Sequence, residues 1–240
     1  MLNLERFYFE GRQYMKLAIF DFDGTLFPKQ TIPYLMKSYI KLGYSKARYA
    51  IFLCKTLRAI AKYKLPFDKK YGKEQFRREA TVYFIQLFNK QKPTVVVEFF
   101  HQVIPQMIKD LNPMVVEEVR QAKARGEKCV LLSGCYTDIL KGIAEVLGID
   151  YVIGTDIEWE NISNGKRVIK DLDISTGPKK VERLLESMKD KEIDWNSSRA
   201  YGDSEYDRYI LEIVGNPIAV NPDELLRKLA EEKRWEILTN

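Results

Sequence analysis

A buried apolar run, Met15–Phe20 (MKLAIF), leads straight into the acidic turn Asp21-Phe22-Asp23-Gly24-Thr25, and the pattern that follows decides the fold. From Lys29 to Leu111 the chain is rich in Tyr, Phe, Lys and Ile at helical spacing. Ser45 can cap a helix that reaches about Lys64 and stops at Leu65-Pro66. Further helices are predicted over Lys73–Phe88 and Pro93–Lys109. After Asn112-Pro113 a strict alternation begins. Helix Pro113–Ala124 is followed by strand Lys128–Leu132, helix Thr137–Leu147 and strand Tyr151–Gly154. A polar hairpin turning at Asn164-Gly165 precedes helix Lys179–Lys189, strand Ser198–Tyr201, helix Glu205–Ile213, strand Pro217–Val220 and helix Pro222–Lys233.

Strands that alternate with helices predict an α/β protein with a parallel sheet covered on both faces, a Rossmann-like doubly wound core. Residues 15–28 and 112–240 make that core, residues 29–111 form an inserted helical cap domain, and residues 1–14 are an N-terminal extension. An insertion after the first strand lies over the strands' C-terminal ends, where ligands bind in open α/β sheets.

Composition removes several chemistries. The single histidine, His101, leaves little room for a His-rich zinc site or a Ser-His-Asp hydrolase, and reads as an ordinary cap residue. Cys54, Cys129 and Cys135 are too few for a disulfide framework and none begins a Cys-x5-Arg phosphate loop. Cys135 reads as a small space-filler. No apolar run is long enough to span a membrane and the N-terminus lacks the apolar stretch of a secretory signal, so a reducing cytoplasm is the expected home. Chemistry should run on carboxylates, lysine and a hard metal. The formal net charge is +5, yet Leu35–Ala80 holds 13 Lys/Arg against three Asp/Glu, a basic module inside an acidic protein.

Short polar segments stand at the ends of predicted strands or at a helix start: Asp21–Thr25, Ser133-Gly134, Lys179-Lys180 and Gly202-Asp203-Ser204-Glu205-Tyr206-Asp207. Doubly wound topology can bring them to one crevice. Together with the inserted helices and Val220-Asn221-Pro222-Asp223, this set resembles the haloacid dehalogenase-like hydrolase superfamily, on its phosphoserine phosphatase-like branch, subfamily IB. The resemblance implies an Mg2+-dependent phosphatase acting on a small phosphomonoester through an aspartyl-phosphate. It makes Asp21 the nucleophile and Asp23 the general acid and base. Asp21, the main chain of Asp23, and Asp203 would hold magnesium, with Asp207 behind them ordering Asp203 or a water. Ser133 and the Gly134 amide, read at a strand-to-helix junction, would donate to phosphate oxygens. A lysine would complete the anion site; Lys180, followed by Val181 and Leu184, fits the family spacing better than Lys179, which stays open.

In phosphoserine phosphatases a glutamate about nine residues past the nucleophile grips the substrate amine; here that offset holds Gln30, which disfavours phosphoserine. On the 46–64 helix, Arg48, Lys55, Arg58 and Lys62 fall in one stripe about 80° wide, with Leu53, Leu57, Ile60 and Ala61 opposite. That stripe reads as a solvated face or as a peripheral contact with anionic lipid; nucleic acid is a weaker reading, since no binding module accompanies it. The alternative function is a non-catalytic lipid- or nucleic-acid-associated binding protein on the same fold, which would have no need of both carboxylates of Asp21-Phe22-Asp23. Nothing in residues 1–14 resembles the family. Met15-Lys16-Leu17 is a natural start, with purine-rich Glu10-Gly11 codons just upstream; the other reading is an arm packing Phe7 and Phe9 on the core.

Overall fold

The computed structural model describes residues 14–64, 72–163, 166–169 and 172–239. Expectations placed on residues 1–13, on Leu65-Pro66 and on the Asn164-Gly165 turn lie outside the described residues. The chain opens with β1 (Leu17–Phe20) and then runs through α1 (Thr31–Lys41), α2 (Lys46–Lys64), α3 (Lys73–Ile85) and α4 (Pro93–Lys109). α5 (Pro113–Ala124), β2 (Lys128–Tyr136), α6 (Thr137–Leu147) and β3 (Tyr151–Thr155) follow. A small antiparallel pair, β4 (Glu160–Ser163) and β5 (Lys166–Val168), leads to α7 (Pro178–Met188). The chain ends with β6 (Arg199–Gly202), α8 (Arg208–Leu211), β7 (Asn216–Val220), α9 (Glu224–Lys233) and β8 (Glu236–Leu238).

Six strands form one parallel sheet in the order β3-β2-β1-β6-β7-β8, as a doubly wound core requires. The strand order turns back on either side of β1, so the crevice between the C-terminal ends of β1 and β6 is the topological switch point. Alternate side chains of β1 serve opposite faces. Ala18 and Phe20 join α5 and α6 residues such as Val119 and Ile139, while Leu17 and Ile19 join Leu184, Ile210 and Leu226 of α7, α8 and α9. Apolar packing continues from the first face into the helical segment, where Tyr39, Phe84, Phe88 and Phe99 form an aromatic cluster.

Several elements differ from expectation. β2 runs to Tyr136, beyond the predicted Leu132, with a register shift between Leu132 and Tyr136. The cause is Tyr136, whose ring stacks on Phe100 at 5.4 Å and whose hydroxyl donates to Thr81 O at 2.6 Å, drawing the strand end into the helical segment. Ser133 and Gly134 therefore sit in an irregular strand end, ahead of the α6 start at Thr137, and not at a helix N-terminus. The predicted helix Glu205–Ile213 divides into a 3-10 turn at Glu205–Asp207 and the short α8.

The basic stripe of α2 divides: Arg58 and Lys62 are exposed, while Arg48 and Lys55 turn toward the rest of the protein. Arg48 donates to the carbonyls of Leu87 and Asn89 at 2.7 Å, and Lys55 donates to Gln86 and lies over the Tyr83 ring. These contacts turn Arg48 and Lys55 inward beside buried Phe52 and Ala59, while Ile51 and Leu57 are 59% and 62% exposed. Carbonyls in and just after the 3-10 turn Gln86–Phe88 that follows α3, with the Gln86 side chain, draw the two cations in, against the apolar periodicity. The arrangement gives a four-residue lipid-facing stripe no support.

Candidate active site

β1 delivers Asp21 to the switch point, and the Asp21 amide still bonds Tyr201 O of β6 at 3.0 Å. The chain then turns sharply: Gly24 N donates to Phe27 O at 2.7 Å and Phe27 N to Phe22 O at 2.8 Å. Gly24 has φ +93°, and a Cβ there would overlap the Asp203 carboxylate, so this position needs glycine twice over. β6 ends at Gly202 and presents Asp203 beside that turn. A capping box holds the next carboxylate: Asp207 Oδ2 accepts from Ser204 N at 3.2 Å and Ser204 Oγ at 2.9 Å. α7 supplies Lys180 from its first turn. Its Nζ, buried with the rest of the side chain, bonds Asp21 Oδ1 at 2.5 Å and Asp207 Oδ1 at 2.6 Å.

Asp23 points elsewhere. Its Oδ1 accepts from Thr31 N at 2.9 Å and from the Thr31 hydroxyl, at the N-terminus of α1. The acidic turn is thus tied to the first helix of the inserted segment.

Electrostatics follow from crowding. Burial, then the Asp207 charge, lifts the Asp21 carboxyl well above the ordinary carboxylate range, against the pull of Lys180. Burial and Asp207 push Asp203 up to about 7. Burial raises Asp23 to about 6, opposed first by its hydrogen bonds from Thr31. Burial works against the Lys180 ammonium, but Asp207 and Asp21 outweigh it and raise its pKa. The site carries more negative charge than its lysine offsets.

That excess bears on a metal. One carboxylate oxygen each from Asp21, Asp203 and Asp207 lie within 4.8 Å of one another. An all-oxygen donor set with surplus negative charge fits a hard divalent cation such as Mg2+. The expected set took the main chain of Asp23 with Asp21 and Asp203 and put Asp207 behind them, and nothing in the side-chain cluster bears on the Asp23 main chain. The structure turns the Asp23 side chain to Thr31 and sets Asp207 in the cluster, bonded to Lys180 and Ser204.

Ser133, 2% exposed, and Gly134 face the same cavity as Asp21, Asp23, Lys180, Asp203 and Asp207. Ser133 Oγ accepts from Cys135 N at 3.2 Å. Lys179 lies outside the cavity lining and pairs at the surface with Asp173. Cys135 is buried beneath Thr31, its thiol pushed up by burial, and His101 is exposed on α4. Three cavity or support residues escaped sequence reasoning. Ser204 carried a readable signal, the Ser-x-x-Asp box. Thr31 carried only its helix-start position, and Arg77, which lines the cavity from α3 with its guanidinium over the Tyr206 ring at 5.4 Å, carried none.

Thr31→Val isolates the Asp23 anchor. Losing a hydrogen bond to the ionised form raises the Asp23 pKa. If Asp23 must be protonated to act, the alkaline limb of kcat/KM should move up by about half a unit to one unit, with kcat falling about threefold to tenfold. An unmoved limb would separate Thr31 from the chemistry.

The family described as haloacid dehalogenase-like hydrolase matches residues 18–212. The "Inhibition of morphological differentiation protein" of Streptomyces azureus is 32% identical over 157 residues, 62% of this chain and 52% of that protein. A histidinol-phosphatase of Neisseria meningitidis serogroup C is 26% identical over 239 residues, covering 92% of this chain and 97% of the relative. Phosphoserine phosphatases also match, at 32% to 34% identity, and the chain spans 33% to 51% of their length. Among solved structures, a protein of unknown function from Bordetella pertussis Tohama I shares the fold with a TM-score of 0.75 and 22% identity, over 94% of this chain and 99% of that one.

Proposed function

The chain belongs to the haloacid dehalogenase-like hydrolases, and we propose that it is an Mg2+-dependent phosphatase that hydrolyses a phosphomonoester through an aspartyl-phosphate on Asp21. The observation that carries this reading is the buried contact of Lys180 with Asp21 and Asp207 at the mouth of β1 and β6, open to a cavity. A carboxylate buried at such expense to its own solvation is poised for chemistry, not for stability.

In this reading an Asp21 carboxylate oxygen attacks phosphorus as the ester P–O bond breaks. Asp23, with a carboxyl near 6, gives its proton to the departing oxygen. The freed alcohol leaves; Asp23 then takes a proton from water as the water oxygen attacks phosphorus and the Asp21–phosphorus bond breaks. Lys180 holds Asp21 in position and offsets charge building on the phosphoryl oxygens. Ser133 Oγ and the Gly134 amide bind those oxygens from the end of β2. Asp21, Asp203 and Asp207, with the Asp23 main chain, would hold Mg2+, which when bound supplies charge neutralisation and orients a phosphoryl oxygen. The helical segment 29–111 serves as a cap that closes over the ester's organic part and selects it.

Chelation tests the metal part. Excess EDTA should lower aryl phosphate hydrolysis by at least about a hundredfold, and added Mg2+ should restore it. Full activity in chelator would remove the metal from the account.

A further inference from the structure

We infer that the substrate of this site is a phosphomonoester whose organic body is apolar and carries no amine. The inference rests on the phosphatase reading and deepens it. The cavity is about 580 Å³, much more than a phosphoryl group needs. Its catalytic end holds Asp21, Asp23, Asp203 and Asp207, and these are the only carboxylates among the described lining residues. The remainder is walled by Ile32, Pro33 and Met36 of α1, Phe52 and Tyr63 of α2, and Phe76 of α3. Tyr63 and Phe76 stack at 6.1 Å, so two helices join in one aromatic wall.

The polar groups that the cap's described residues bring to the lining are neutral or cationic: Gln30, Thr56, Thr81, Arg77 and Arg78. An ammonium on the substrate body would shed water and face the Arg77 guanidinium, with no carboxylate among the described cap residues of the lining to receive it. Buried apolar length, by contrast, is rewarded by about fourfold in binding per methylene. The chamber therefore selects for an alkyl or aryl body and against an amine.

A matched series tests this on the Mg2+-loaded full chain: ethyl, butyl and hexyl phosphate, with 6-aminohexyl phosphate as the charged partner of hexyl phosphate. From ethyl to hexyl, kcat/KM should rise by about twofold to fourfold per methylene. Hexyl phosphate should exceed 6-aminohexyl phosphate by at least about fiftyfold. Met36→Glu, on a half-buried α1 position, places a carboxylate in the apolar wall and should narrow that gap at least about tenfold. Equal or faster turnover of the amine, dependent on Asp21, overturns the inference and leaves the phosphatase reading standing. No Asp21-dependent cleavage of any ester overturns the phosphatase reading, and the inference with it.

Discussion

Asp21→Asn should abolish catalysis, with kcat lower by at least about a thousandfold, while the protein becomes no less stable. The amide has the shape of the carboxylate and is a poor nucleophile. Stability follows from the sign of the Asp21 shift. Its carboxyl is raised on folding, so the metal-free folded state binds more protons than the unfolded chain above the ordinary carboxylate pKa. Folding free energy is therefore lost as pH rises through that window, and at neutral pH an ionised Asp21 is a net burden. Removing the charge relieves the repulsion from Asp207 and Asp203 and leaves Lys180 paired with Asp207. In chelator, Tm should be unchanged or higher. A dead variant that also melts several degrees earlier would point to a structural role for Asp21.

Lys180→Met should damage both properties. The ammonium bridges two buried carboxylates at 2.5 and 2.6 Å, and its loss leaves them uncompensated. Breaking a buried pair costs about 3–5 kcal/mol, and the loss of charge on the phosphoryl site should lower kcat by about a hundredfold to a thousandfold. The stability deficit should shrink as pH falls, because Asp21 and Asp203 then take up protons and need no partner. Lys179→Met is the control. Its ion pair with Asp173 is at the surface, so kcat should stay within about twofold and stability within about 0.5 kcal/mol. Equal losses from both variants would assign the phosphate lysine wrongly.

The contrast between these neighbours also shows how far the sequence carried. Its spacing to Val181 and Leu184 singles out Lys180 in the sequence, and the α7 helix buries Lys180 and Leu184 on one face. The sheet was legible because its strands are apolar runs separated by strong punctuation: Asn112-Pro113, Gly126, Gly148 and Gly177-Pro178. β8, three residues long, was too short to show a period, and α1 begins with two β-branched residues and a proline that obscure it. The inward turn of Arg48 and Lys55 on α2 was not legible for a different reason. Periodicity reports polarity, not partners, and the carbonyls of Leu87 and Asn89 that draw Arg48 inward are backbone groups that no pattern of side chains reveals. Arg77 was hidden in the same way: one of many cations in a basic segment, singled out only by the cavity it faces.

The central claim is a covalent bond between Asp21 and phosphorus. Quenching the enzyme with borohydride during turnover, then sequencing its peptides by mass spectrometry, tests it directly, because reduction of an acyl phosphate converts aspartate to homoserine. Homoserine should appear at position 21, only with substrate and Mg2+ both present, and at no other aspartate. Homoserine at Asp23, Asp203 or Asp207 in its place, or steady turnover with residue 21 never modified, would contradict the account.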